Sequence, residues 1–307
     1  MRVFKFIFIT VLLGWSPLYS QQNEKPTEVD FYILAGQSNM QGSGNLKQVG
    51  EKFAKPLKGV FIWNQKAQKF EVFKGAGRFG PELGFAHRLR ELQPKGDIYL
   101  LKLGLSGQPL HHGMDNQSWL NNEFAPKRRN FYPGKNRKDP NQGLHYINLM
   151  KRYDAAVKSL TDTKVRLALK GIVWMQGEAD AKHKPSGSSY GESLARFKKR
   201  VEEDTSSGVV PFVFGKVLPG DVVPAKFKAY KELHQQMKQV DMDSGHKDSV
   251  LGMRLVGAPK DMMKKDNVHY TSDGYITIGT DFANAMKAVQ KVLPVRLKSS
   301  TKEKQSK

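Results

Sequence analysis

The 307-residue sequence predicts an α/β fold, a three-layer α/β/α sandwich on a mostly parallel central sheet. Three observations carry that expectation. Six short and nearly continuous apolar runs recur along the chain, the segments between them place apolar residues at helical spacing, and no repeat of fixed length is present. Strands that are apolar on both faces belong to a sheet covered on both sides, and amphipathic helices provide the cover.

Taken in order, residues 1–20 carry two early cations, Arg2 and Lys5, then an apolar run from Phe6 to Trp15, then a proline and small residues ahead of Gln21. This is the pattern of a cleaved export signal, and the run is short for a bilayer span. No second such run follows. The expectation is a secreted or periplasmic protein with no integral membrane segment: a signal peptide over 1–20, a single domain over 21–295 and a solvated basic tail over 296–307. Strands are expected at residues 30–35, 59–64, 97–104, 165–175, 210–217 and 250–256. Leu83, Ala86, Leu89 and Leu92 fall on one helical face, as do Leu144, Ile147, Met150, Tyr153 and Leu160. The last helix shows Tyr275, Ile278, Phe282, Met286, Val289 and Leu293 on one stripe. Residues 127–141, rich in Pro, Gly and Asn, read as a long insertion near a surface site.

Composition narrows the function before any motif is considered. The chain has no cysteine, which excludes disulfides, thiolate zinc sites and a cysteine nucleophile. Fifty Lys and Arg against 29 Asp and Glu give +21, and losing Arg2 and Lys5 with the leader leaves +19. A surface so charged attracts polyanions, but no nucleic-acid motif with interleaved aromatics accompanies it. The charge points instead to an acidic glycan or to an anionic cell envelope.

In parallel sheets ligands bind beyond the carboxyl ends of the strands, so residues just past each strand deserve the first functional reading. Ser38, two residues after the strand-ending Gly36 in AGQSNMQG, is a candidate nucleophile on a tight turn, with helix capping as the alternative. Gln176 and Glu178 in GIVWMQGEADA supply an amide donor suited to an oxyanion and a carboxylate suited to orienting a base. Asp266 and His269 in KKDNVHYTSDGY stand three apart, so one carboxylate can hold the imidazole while its other nitrogen faces a serine from elsewhere. Two better-known patterns are discarded. GAGRFG, residues 75–80, matches a dinucleotide fingerprint but follows a weak strand and runs into Pro81. GSSYG, residues 187–191, matches a nucleophile elbow but follows a polar stretch, so Ser189 reads as a helix cap.

Together, GQSN, WMQGEAD and DNVH, in this order and at this separation, resemble the SGNH hydrolase superfamily. Within it they resemble the sialate O-acetylesterase and acetylxylan esterase group, carbohydrate esterase family six. FGPELGFA at 79–86 and KLGLSGQPL at 102–110 resemble intermediate blocks, so the likeness runs from Asp30 to about Pro294. It implies a flavodoxin-like sheet and a serine esterase, without cofactor, that removes acetyl groups from sugar hydroxyls. Carried over, Ser38 attacks, His269 moves the proton and Asp266 orients it, with Glu178 as the alternative acid. The implied oxyanion donors are the amides of Ser38 and Gly107 and the side chain of Gln176. Gln37, Asn39, Gln108 and Trp119 are candidate sugar contacts. Where the group carries two adjacent glycines this chain has Ser106 and Gly107, which puts the width of the acetyl pocket in question. His111 and His112 should diverge, and with no third ligand nearby no metal is expected. The rival reading is a secreted binder of acidic glycans that kept the fold and lost turnover. The oligomeric state is not written in the sequence.

Overall fold

The computed structural model describes residues 26–305, with side chains through Ser299; the export segment read at residues 1–20 lies outside them. Seven strands form the central sheet: β1 (Thr27–Gly36), β2 (Val60–Asn64), β3 (Lys69–Val72), β4 (Ile98–Gly104), β5 (Val165–Met175), β6 (Phe212–Gly215) and β7 (Met253–Val256). Their order is β7-β6-β5-β1-β4-β2-β3, parallel throughout except for the antiparallel edge strand β3. The central strand β1 is solvent-free from Phe31 to Ala35, which explains why its sequence is an apolar run rather than an alternation. β3 was not expected, because KFEV is mostly exposed and its Lys69 and Glu71 are the kind of charges that protect a sheet edge.

Five longer helices cover the sheet: α1 (Glu82–Leu92), α2 (Leu144–Lys158), α3 (Tyr190–Thr205), α4 (Tyr230–Val240) and α5 (Ser272–Gln305). Every residue of the stripe expected on α5, from Tyr275 to Leu293, is buried. α5 crosses α1 so closely that a Cβ on Gly84 would stand 2.1 Å from the Ile276 carbonyl oxygen, and one on Gly279 would stand 2.0 Å from that of Pro81. On α2 the buried set is Tyr146, Leu149, Met150 and Ala156, while Leu144 is exposed. The expected face was therefore rotated, since Leu144 is the first residue of the helix and its apolar character is not spent on the core.

The chain end also differs from expectation. The segment read as a tail from Arg296 is helical, because α5 continues to Gln305 past Pro294, while Arg296, Lys298 and Ser299 stay exposed. Arg296 pairs with Asp243 at 2.6 Å, and Leu297 packs partly buried against the core, so the helix still has partners where a tail was read.

The order of strands reverses about β1, with β4 on one side and β5 on the other. Gly36, Gly104 and Met175 end these three strands at one level of the sheet, where an open α/β sheet leaves a crevice.

Candidate active site

Ser38 begins a single helical turn, Ser38–Gln41, directly after β1. The Gln37 amide extends the pairing with β5 by one residue, donating to the Met175 carbonyl at 2.9 Å, and fixes where the turn starts. Gln37 occupies the cap position and Ser38 makes no cap bond, so the capping alternative for Ser38 does not describe this turn. Its hydroxyl meets His269 Nε2 at 3.0 Å instead.

His269 arrives on the segment between Met263 and Tyr270, which close an isolated bridge just before α5. Asp266 Oδ2 takes the other ring nitrogen, Nδ1, at 2.6 Å. Asp266 Oδ1 accepts the backbone N–H groups of Val268 and His269, each at 2.9 Å. Partial burial works to raise the Asp266 carboxyl, but the His269 amide and ring and the Val268 amide outweigh it and hold the group down to about 2. The carboxylate is therefore ionised at any working pH. An ionised carboxylate only accepts, so Nδ1 carries the proton and Nε2 is free to accept from Ser38.

These groups open on a cavity of about 160 Å3 walled also by Gln37, Ser106, Gly107, Gln117 and Glu178, with Lys182 and Lys226 at its side. Gly107 has a φ of +70°, and a Cβ there would lie 2.6 Å from Gln117 Nε2, so both the backbone and the space demand glycine. The neighbouring amides are tied down, Leu105 to the Gly36 carbonyl and Gln108 to the Leu105 carbonyl, which leaves the Gly107 N–H between two fixed points. The Ser38 N–H, first in its turn, has no helical carbonyl before it. Ser106 sits on the cavity wall, as its departure from the double glycine implied.

The remaining sequence candidates divide. Gln37 lies on the wall, its Oε1 held by the Ala179 amide at 3.1 Å. Gln176 lies beneath the cavity with no exposed surface, and its Nε2 is engaged by Asp180 at 2.6 Å, by the Gln108 carbonyl at 3.2 Å and by Gln37 at 3.3 Å. This corrects the reading of Gln176 as a free oxyanion donor: in this geometry it braces the loop that carries Gly107. Asn39 is also fully buried and serves as a hub, donating to Glu178 Oε1 at 2.6 Å and to the Val268 carbonyl at 2.8 Å, and accepting from Tyr275 Oη at 3.0 Å. Gln108 spends its side chain on His145, Asn116 and the Ser106 carbonyl. Trp119 packs against His111 at 5.3 Å and is not part of the wall of the Ser38 cavity. Asn39 is thus scaffold, with no surface for a sugar, while Gln108 and Trp119 are half-buried and take part in the loop's own packing. Glu178 does not hold the imidazole nitrogen that Asp266 holds; burial raises its carboxyl, and its Oε2 has no partner.

His111 and His112 do not diverge as expected. Their rings stack at 4.2 Å, because the segment is irregular and both pack under residues 119–132. Ser189 stands at the start of α3 but donates to the Pro185 carbonyl instead of capping, and within residues 75–80 Arg78 and Phe79 pair antiparallel with Gly44–Asn45 rather than forming a nucleotide turn. Among the described residues, no group of three His, Asp or Glu is placed to hold a metal ion, and no helix is long and apolar enough to cross a membrane.

The sequence reading missed Asp180, Lys182, Gln117 and Lys226. Asp180 was legible only as a helix cap. In the fold its buried carboxylate accepts the amides of Leu110 and His111 at 2.9 and 3.0 Å as well as Gln176, tying the loop after β4 to the end of β5.

A parallel sheet with a serine past its central strand and an Asp-x-x-His segment before its last helix defines an SGNH-type hydrolase. The chain belongs to the family of carbohydrate esterases described as sialic acid-specific acetylesterase, whose model matches residues 28–288. It is accordingly a carboxylic ester hydrolase. No protein of curated function matches it in sequence. Among solved structures it is similar to a protein from Arabidopsis thaliana, at 17% identity and a TM-score of 0.61, over 84% of this chain and 98% of that one. It is also similar to NanS, at 13% identity and a TM-score of 0.56, over 87% and 99% of the two chains. A carbohydrate acetylesterase from Xanthomonas citri aligns at 17% identity and a TM-score of 0.53, over 85% of this chain and 57% of that one. At these identities the likeness speaks for the shared fold.

Proposed function

We propose that this protein is an exported esterase that removes O-acetyl groups from an acidic carbohydrate by a Ser-His-Asp mechanism. The observation that supports it best is the unbroken relay from Asp266 Oδ2 through His269 to Ser38 Oγ, 2.6 and 3.0 Å long, opening on a cavity of acetyl size. His269 Nε2 takes the Ser38 proton as Oγ bonds to the acetyl carbonyl carbon, and the carbonyl π pair moves onto oxygen. The amides of Ser38 and Gly107 receive that oxyanion, each contributing about 2–4 kcal/mol if aimed at it. As the tetrahedral intermediate collapses, His269 passes the proton to the departing sugar oxygen and leaves Ser38 acetylated. Water, deprotonated by the same imidazole, then releases acetate and restores the serine hydroxyl.

The acidic character of the sugar is read from Lys182 and Lys226 at the cavity wall together with the +21 of the whole chain. Lys182 donates to Gln117, and neither lysine has a carboxylate partner among the described residues, so a substrate carboxylate can take that place.

The test is acetate release from acetylated xylan, acetylated pectin, O-acetylated sialic acid and 4-nitrophenyl acetate by the protein and its Ser38→Ala variant. Release that disappears in the variant supports the reading. Tight binding of a glycan with no release from any substrate would make the chain a binder on the same fold.

A further inference from the structure

A second cavity, of about 320 Å3, lies between the irregular segment 110–133 and α3, and the acetyl chemistry makes no use of it. Its walls hold polar groups that the protein leaves unanswered. Tyr132 is 3% exposed, and its hydroxyl makes no well-formed hydrogen bond within the protein, only the Arg196 side chain being near enough to act on it, so an acceptor or donor from a ligand would relieve a cost of up to about 1–3 kcal/mol. His111 is 4% exposed and accepts the Gly113 amide on Nδ1 at 2.9 Å. Burial, aided by nearby His112, Arg196 and Arg128, holds its ring down to about 3, so it is neutral and its one proton sits on Nε2. That Nε2–H is a second donor without a protein acceptor.

The rest of the wall is an aromatic face and a planar charged pair. Phe124 is 45% exposed; its ring is stacked on His112 at 4.3 Å, with Tyr132 tilted against it at 5.5 Å and the Lys135 ammonium 5.8 Å from its centre. Across from it Arg196 pairs with Glu192 at 2.5 Å and lies over the Tyr132 ring. A flat apolar face beside planar donors and acceptors is what a pyranose ring requires: C–H groups on one side, hydroxyls around the edge that both give and accept. A phosphate or sulfate would meet the Glu192 carboxylate. The space is at the small end of ligand pockets, room for about one sugar residue. It does not end there, because a neighbouring groove of about 680 Å3 shares Phe124, Tyr132, Glu192 and Arg196.

The two cavities are neighbours by construction. Lys182 walls the first and Pro185 the second, one turn of chain apart, and the His111 amide is held by the Asp180 carboxylate that also holds Gln176. We propose that the second cavity is a sugar subsite that binds another residue of the glycan whose acetylated unit lies at Ser38, which makes the preferred substrate a chain rather than a free monosaccharide. This rests on the carbohydrate esterase reading above.

The experiment measures kcat/KM on acetylated xylo-oligosaccharides and acetylated oligogalacturonates of increasing length, against the acetylated monosaccharides and 4-nitrophenyl acetate. The expected result is a gain of about tenfold on extending the chain, lost in Phe124→Ala and Glu192→Gln while activity on 4-nitrophenyl acetate stays within about twofold. No gain with length, or a gain that both variants keep, would overturn the proposal. Calorimetry of non-acetylated oligosaccharides on the Ser38→Ala protein separates the subsite from the chemistry. Binding that Phe124→Ala abolishes supports the subsite even if no acetate is released from any ester, and absence of binding to every oligosaccharide overturns it.

Discussion

Asn39 and Glu178, 139 positions apart in the chain, are joined by a buried 2.6 Å hydrogen bond beside Ser38. Asn39 follows Ser38 directly, so this bond, with that to the Val268 carbonyl, fastens the serine turn to both other parts of the site. Asn39→Ala would leave both Glu178 oxygens buried without partners. The expected loss is about 3 kcal/mol of stability, read as a lower denaturant midpoint. Adding Glu178→Gln to that variant should cost less than the sum of the two single changes, since the hydrogen bond the two side chains share is lost only once. Additive losses would show that the two side chains act independently.

Asp266, and not Glu178, meets the imidazole. Asp266→Asn is expected to lower kcat by about 10^3 to 10^4 with the fold intact, the scale of losing the correct tautomer. Glu178→Gln is expected to cost far less in kcat. The reverse order on one acetyl ester would transfer the orienting role to Glu178.

Asp180 links stability to pH. Burial raises its carboxyl from 3.8 to about 6, against the pull of the Leu110 amide, Gln176 and the His111 amide. With the folded value above the unfolded one, the native state holds the proton more tightly, so stability falls as pH rises from about 4 to about 6 and is level beyond. The contribution is about 3 kcal/mol. Denaturant midpoints at pH 4 and pH 7 should therefore fall more in the parent protein than in Asp180→Asn. Equal falls would assign the slope to other groups.

Lys182 and Lys226 should govern the choice between acidic and neutral esters. Activity on acetylated oligogalacturonate is expected to drop more steeply with added salt than activity on acetylated xylose, because screening weakens only the charged contact. Lys226→Gln should remove that difference with a loss of about tenfold on the acidic substrate. Equal salt dependence for both substrates in the parent protein would sink the acidic reading.

The elements that chemistry fixes locally were legible in the residues. Ser38 and His269 each sit where an apolar pattern stops, at a strand end and before a helix, and the solvent-free run 31–35 announces the central strand. What depends on packing between distant segments was not legible. Gln176 reads as a donor facing outward until Asp180 is placed four residues on to take its amide. Leu144 reads as core until the helix is seen to start there. The unpaired Tyr132 hydroxyl has no signature at all in KRRNFYPG, because only the arrangement of its neighbours makes it unpaired.

Ser38 and His269 touch across 231 positions of sequence. Few contacts in the molecule close a longer loop, and the entropy of closing it is offset only once the sheet strands between them are assembled. Esterase turnover should consequently be among the last properties to return when the denatured protein is diluted into buffer, after far-ultraviolet dichroism has recovered. The hydroxyl–imidazole contact then serves as an internal clock for completion of the whole chain, one that any acetyl ester assay can read.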